Sequence, residues 1–334
     1  MIYSDRVYGK VEISEPVVLE LIKSPAIERL KGIDQAGYRP LWVKTDVKLK
    51  NRYDNSRFSH SVGVYILLKK YGASLEEQIA GLIHDISHAA FSHCIDYVLE
   101  EGSEKEHNHQ DNIFEKFVRK TEIPGILKKY NFNIEYVLND MNFPLKEKPL
   151  PDLCADRLDY SLRTAVIFEV INEKELNYFL NNLGVKNKRW VFRNFYSAKK
   201  YAELFFKLNN NYYAGIKSAV MFRAVGDCLR YALEKKYISA LDLYTTDEEV
   251  IKKIKRNLNK DRNLKLFFQR MDGQIKIRNN QKNYDARVFC KSRIVDPLCE
   301  HGGKIKRISE IDKKWAEVVK KESQPKEYFL KFAK

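Results

Sequence analysis

Six of the seven histidines in this 334-residue chain, His60, His84, His88, His93, His107 and His109, fall between positions 60 and 109. His84 and Asp85 are adjacent within an apolar run (Ile79, Leu82, Ile83, Ile86), where an unpaired buried carboxylate is costly. A bound metal ion offsets that cost. Neutral imidazole nitrogens and carboxylate oxygens suit Fe, Mn, Co, Ni or Zn, and ligand sets drawn from several helices are a common way to build such a site in a bundle. His60 on the preceding helix and Asp156 on a later one are the natural completing ligands.

The later helix places Asp156, Asp159, Tyr160 and Arg163 at i, i+3, i+4 and i+7, opposite the apolar row Leu158, Leu162 and Ala165. That spacing predicts one face carrying acid, hydroxyl and guanidinium together toward a cleft.

The surrounding elements are mostly helical. Residues 1 to 16 alternate loosely and suggest a short hairpin before Pro16. Val17, Val18, Leu21 and Ile22, then Ile27, Leu30 and Ile33, recur at helix spacing. Residues 38 to 56 suggest a long polar loop, followed by a helix from near His60 to Gly72. Ser74 and Glu77 form a capping-box pattern opening a helix expected to run through LEEQIAGLIHDISH. Helical patterns resume at DNIFEKFVRK, IPGILKKY and IEYVLND, give way to the proline-punctuated residues 142 to 152, and return strongly in DLCADRLDYSLRTAVIFEVI. Residues 185 to 195 suit a strand or hairpin, and 196 to 236 two helices rich in Tyr and Phe. The fold expected is mainly α, a helical domain over residues 1–244, followed by a small α+β appendage over residues 245–334 in which ARVFCKSRIVDPL suits strands and Trp315 lies on a helix. No internal repeat is evident.

Bulk properties narrow the class. The 44% hydrophobic content supplies a folded core. No signal peptide and no window of transmembrane length are evident, so a cytoplasmic protein is expected. Five widely spaced cysteines without a CxxC pair suggest reduced packing residues. A net charge of +15 and a pI near 9.3 favour polyanionic partners such as nucleotides or nucleic acid, or else reflect a lysine-rich solvated surface.

RFSHSVGV, HDISHAAFSHCID and ADRLDYSLR, in that order and spacing, resemble the HD-domain phosphohydrolases related to the deoxynucleotide triphosphohydrolases, over a core of about residues 27–165. The resemblance implies an HD-domain helical bundle in which His60, His84, Asp85 and Asp156 hold one divalent metal ion, with Mg accompanying the substrate as a further candidate. It implies that His88 sits beside the scissile phosphate and that Asp96 orients a catalytic histidine, either His107 or His109. It places His93 at the pocket edge, Arg57 on the phosphates, and Gln35 and Tyr160 at the sugar, and Arg157 is a candidate for a second positive contact. Thr164 stands where those enzymes usually carry an aspartate, and HAAFSH replaces their usual glycine-proline form. KSRIVDPL resembles a segment of the family's bacterial members, without indicating chemistry. Oligomers are frequent among such relatives, so a homo-oligomer is expected.

Three readings follow. The first is hydrolysis of a deoxynucleoside triphosphate to deoxynucleoside and triphosphate. The second is the same site acting on a nucleoside monophosphate, a cyclic dinucleotide or a nucleic acid end. The third is a nucleic-acid-binding regulatory protein with a vestigial site, against which a complete ligand set argues.

Overall fold

The alternating amino-terminal residues form a hairpin, β1 (Ile2–Asp5) against β2 (Gly9–Glu12), in a computed structural model that describes residues 1–38, 53–99 and 102–333. Asp5 closes its turn by accepting from the Val7 and Tyr8 amides at 2.7 and 3.1 Å. Helices α1 (Pro16–Ile22) and α2 (Pro25–Arg29) each begin with proline, whose missing N–H costs nothing at a helix start. Most of the polar loop expected over residues 38 to 56 lies outside the described residues.

Helix α3 (Arg57–Lys70) starts three residues earlier than expected, because the Ser56 hydroxyl accepts from the Ser59 amide and so caps it. All its residues from Arg57 to Leu68 are buried, which makes it the central rod of the bundle. Helix α4 (Leu75–Ile83) packs along it and is capped by Ser74. The expected capping box is only half formed, since Glu77 turns its carboxylate to the Leu145 and Lys146 amides at 2.6 and 2.9 Å. Helix α4 also ends earlier than the pattern suggests. His84 is its C-cap, and residues 84–87 form turns instead of helix. The carbonyls thus released at Ile86 and His88 accept from Arg29 Nη2 at 2.6 and 2.8 Å.

A 3₁₀ turn (Ser92–Tyr97) leads to α5 (His109–Val118), α6 (Ile123–Lys129) and α7 (Ile134–Leu138). Helix α8 (Ala155–Ile167) packs on α3. It is followed by α9 (Glu173–Asn182), opened by a full Asn172–Glu175 capping box that the sequence reading passed over. The hairpin β3 (Leu183–Lys186) and β4 (Arg189–Phe192) precedes α10 (Phe195–Leu208), a π-helical turn (Asn209–Tyr213) and α11 (Ile216–Glu234).

The α+β character expected beyond residue 245 is present. Helices α12 (Asp247–Lys255) and α13 (Arg262–Met271) precede β5 (Ile277–Asn279), β6 (Ala286–Cys290), β7 (Leu298–His301) and β8 (Lys304–Arg307). Helices α14 (Ile308–Ile311) and α15 (Lys313–Glu322) and strand β9 (Lys326–Phe332) close the chain. Of the run ARVFCKSRIVDPL only Ala286–Cys290 and Leu298 are strand; residues 291–297 are extended coil.

These elements are bound into the bundle. Strand β7 pairs in parallel with β4, Val191 opposite Leu298, within the sheet β3-β4-β7-β8, while β5, β9 and β6 make an antiparallel sheet. Val288, Cys290 and Leu330 share one apolar cluster with Phe222, Val225 and Leu229 of α11. All five cysteines are free and buried. Among the described residues no helix is long and apolar enough to cross a membrane.

Candidate metal centre and active-site cavity

Four side chains from three segments converge. His60 comes from the first turn of α3, His84 and Asp85 from the turn that ends α4, and Asp156 from the first turn of α8. His60 Nε2 lies 2.9 Å from Asp156 Oδ1, 3.2 Å from His84 Nε2 and 3.7 Å from Asp85 Oδ2. His84 Nε2 lies 3.3 Å from Asp85 Oδ1 and 3.5 Å from Asp156 Oδ1. Ligands at about 2.1 Å from a first-row metal are about 3.0 Å apart at right angles and about 3.4 Å apart at the tetrahedral angle, and the separations here, 2.9 to 3.7 Å, lie close to that range.

The ring orientations fit a metal equally well. His60 Nδ1 donates to Asp159 Oδ2 at 2.8 Å and His84 Nδ1 to the Gly81 carbonyl at 2.7 Å. With their protons on Nδ1, both imidazoles turn Nε2 lone pairs toward one point, an arrangement that two neutral rings would avoid without a cation between them. Asp159 is itself fixed, accepting from Arg163 at 2.9 and 3.0 Å, and Arg163 continues to Asp5 at 3.0 Å. This buried chain explains why Arg163 does not point into the cleft as the helix-face reading expected. Burial resists protonation of His60, yet the Asp156, Asp159 and Asp85 carboxylates hold its pKa up at about 9. Without a metal, proton and acid share the space an ion would take.

Asp85 is 3% exposed and receives Arg57 Nη1 at 2.7 Å. The Arg57 guanidinium also donates to Ser92 Oγ at 3.0 Å and to the Gln35 carbonyl at 3.3 Å, so its donors are largely used in positioning the wall of the site. Gln35 in turn leaves its side-chain Oε1 buried without a hydrogen-bond partner. Such an atom suits a ligand.

The cluster forms one wall of a cavity of about 760 Å³, within the usual range for small-molecule sites. His88, His93, His107, Tyr160 and Thr164 also line it. His88 Nε2 is 3.3 Å from Asp85 Oδ1, and burial beside Arg57 lowers its pKa to about 4. The Asp96 side chain accepts from His93 Nδ1 at 3.2 Å, so its imidazole partner is His93 and not His107 or His109 as expected. Its other oxygen accepts from the His109 backbone amide at 2.9 Å, which anchors the start of α5.

His107 and His109 occupy different surroundings. The His109 ring faces Tyr244, with Nε2 at 3.1 Å from its hydroxyl, and does not line the cavity. His107 stacks on His93 with ring centroids 5.1 Å apart and touches the Tyr97 hydroxyl through Nε2 at 3.1 Å. That hydroxyl donates to the Phe289 carbonyl at 2.5 Å, so it accepts from His107 Nε2–H and leaves His107 Nδ1 as a buried, unpartnered acceptor. Burial and the neighbouring His93 hold the His107 pKa well below its usual value.

Arg157 departs from expectation. It lines the cavity, but its Nη1 holds the Lys148 and Asp152 carbonyls at 3.1 and 2.6 Å and so braces the 148–152 loop. Sequence reasoning placed Asp159 on the cleft-facing side of its helix but not as the support of His60, and it missed Arg29, Asp111, Lys291 and Arg293, which reach the site through long-range packing with no local pattern to announce them.

Residues 57–164 match the HD domain family model. The chain is similar to the uncharacterized protein YdhJ of Bacillus subtilis (strain 168), 36% identical over 295 residues that cover 88% of this chain and 87% of YdhJ. It is similar to the metal-dependent phosphohydrolase cns2 of Cordyceps militaris, 41% identical over 164 residues covering 49% of this chain and 45% of cns2. A more distant likeness joins it to the deoxynucleoside triphosphate triphosphohydrolase SAMHD1 of Mus musculus, 24% identical over 243 residues that cover 63% of this chain and 36% of that protein.

Proposed function

The chain belongs to the HD-domain family, with metal-dependent phosphohydrolases among its relatives, and on that premise we propose that it hydrolyses a deoxynucleoside triphosphate to deoxynucleoside and inorganic triphosphate. The observation that carries this reading is the opening of the His60, His84, Asp85 and Asp156 cluster onto a cavity of nucleotide size, beside the unpartnered Gln35 amide oxygen and the Tyr160 ring. The similarity to SAMHD1 supports the same substrate class.

His60, His84, Asp85 and Asp156 would hold a divalent ion, which would supply an acidified water and offset charge on the phosphoryl oxygens. The protein's own residues do the rest. Asp159 holds His60, and Arg57 holds Asp85, in the orientation the ion needs. Asp96 fixes His93, and the low pKa of His107, whose ring lines the cavity, keeps its unpartnered Nδ1 a proton acceptor. His88, also kept neutral, lines the cavity with its Nε2–H turned to Asp85, and so helps to hold that carboxylate in place. Tyr160 and Gln35 bound the sugar end. His109 lies outside this arrangement.

Thr164 at the cavity and the engagement of Arg157 with the 148–152 loop favour a second reading, the same centre acting on another phosphoester. Incubating the metal-loaded protein with each deoxynucleoside and ribonucleoside triphosphate, nucleoside monophosphates and a cyclic dinucleotide, and resolving products by ion exchange, separates the two. Inorganic triphosphate from wild type and none from Asp85→Ala is the expected result. Intact triphosphates alongside cleavage of another ester would transfer the assignment to that ester.

A further inference from the structure

Residues 291–297 run as coil between β6 and β7, and this coil reaches into the cavity. Lys291 and Arg293 both line it, together with His107 and Tyr213. Their placement is built from buried contacts. Asn209, fully buried at the start of the π-helical turn, donates through Nδ2 to Ser292 Oγ at 3.1 Å and accepts the Arg293 amide on Oδ1 at 2.9 Å. One buried amide therefore clasps the coil between the two cations, and the same π-helical turn brings Tyr213 to the cavity wall. Ile294 and Val295, next along the coil, are buried in the core shared with α8 and α10.

The two cations lack the partner that such a position calls for. Lys291 donates to the Glu106 carbonyl at 2.6 Å and Arg293 to the Lys291 carbonyl at 3.3 Å, and among the described residues neither has a carboxylate within ion-pair distance. Two half-buried positive charges that repel each other are held two residues apart on the wall of the cavity that the metal-ligand cluster also lines. An anionic ligand relieves both the desolvation and the repulsion.

We propose that Lys291 and Arg293 form the clamp for the phosphates distal to the reacting phosphorus and set a preference for polyphosphate esters over monophosphates. This rests on the triphosphate reading given above. Arg293 presents a planar fork to two phosphate oxygens, Lys291 adds a point charge, and Asn209 is a positioning residue that fixes the coil carrying them.

Calorimetric titration of inorganic tripolyphosphate, and separately of orthophosphate, into metal-loaded wild type, Lys291→Met, Arg293→Gln and Arg293→Lys tests the clamp without relying on turnover. Wild type is expected to bind tripolyphosphate at least tenfold more tightly than orthophosphate. Arg293→Gln is expected to lose about tenfold or more in tripolyphosphate affinity with little change for orthophosphate. Lys291→Met should move the same way, and Arg293→Lys should recover part of the loss. Melting by circular dichroism and metal content, both unchanged, show that the variants are folded. Wild-type tripolyphosphate affinity retained in both neutral variants would overturn the clamp. If deoxynucleoside triphosphates are cleaved while Arg293→Gln binds tripolyphosphate normally, the clamp fails and the substrate assignment stands. If they are left intact while tripolyphosphate binds through Arg293, the substrate assignment fails and the clamp stands.

Discussion

At the scale of single residues, the two neighbouring histidines 107 and 109 differ in where one ring points. The His107 ring lines the cavity and stacks on His93, while the His109 ring lies against Tyr244 and does not line the cavity. His107→Ala is therefore expected to lower kcat by about 10²- to 10⁴-fold, the usual range for an acid–base group, and His109→Ala by less than about tenfold. Steady-state kinetics on whichever phosphoester wild type turns over checks this, and equal losses would contradict it. The four converging side chains were legible in sequence because a His-Asp doublet in an apolar helix, with a His before and an Asp after, has few inexpensive structural explanations. The partner of Asp96 was not legible. The 3₁₀ turn over Ser92–Tyr97 brings His93 back onto an acid only three residues away, and nothing in the composition distinguishes that turn from a helix or a loop.

At the scale of elements, the site depends on how closely α3 and α8 approach. A Cβ on Gly63 of α3 would collide with Arg163 Nη2 and Asp159 Oδ1, and neither can retreat, because Arg163 is bound to Asp5 and Asp159 to His60. Gly63→Ala is expected to cost about 2 kcal/mol or more in chemical denaturation and to weaken metal retention. Unchanged stability would show that the pair is not rigid. The 84–92 turn is held from the other side by α12, whose Asp247 accepts the Asp34 and Phe91 amides at 3.0 and 2.7 Å. Phe91 and Ser92 adopt left-handed backbone with φ of 63° and 44°, the conformation glycine would take at no cost, so this grip holds a strained segment in place. Burial pushes the Asp247 pKa up to about 7. A carboxyl whose folded pKa is raised contributes stability that is complete below about pH 4 and is lost as pH rises through about 7. The Tm of wild type relative to Asp247→Asn should therefore fall between about pH 4.5 and about pH 8, and a pH-independent difference would contradict the assignment. Helix existence was readable from periodicity, but the end of α4 at Ile83 was not. The carbonyls freed there are satisfied by Arg29, some 57 residues away.

At the scale of the whole molecule, the site draws on residues from Gln35 to Arg293, and the segments that frame it are tied to one another by buried polar groups. Arg163 links the amino-terminal hairpin to the His60 support, Arg29 and Asp247 link the 84–92 turn to the start of the α+β region, and Asn209 links α10 to the 291–293 coil. A net charge of +15 could not say where cations would matter, because Lys291 and Arg293 look in sequence like any other basic residues of this lysine-rich chain. Only the fold brings them to the cavity that His84, Asp85 and Asp156 also line. The central claim is that His60, His84, Asp85 and Asp156 bind one ion together, and elemental analysis of purified protein after gel filtration tests it most directly. About one first-row divalent ion per chain is expected in wild type, with little in Asp156→Ala or His84→Ala proteins whose circular dichroism is unchanged. Equal metal in wild type and variants, or none in wild type after reconstitution, would contradict the account.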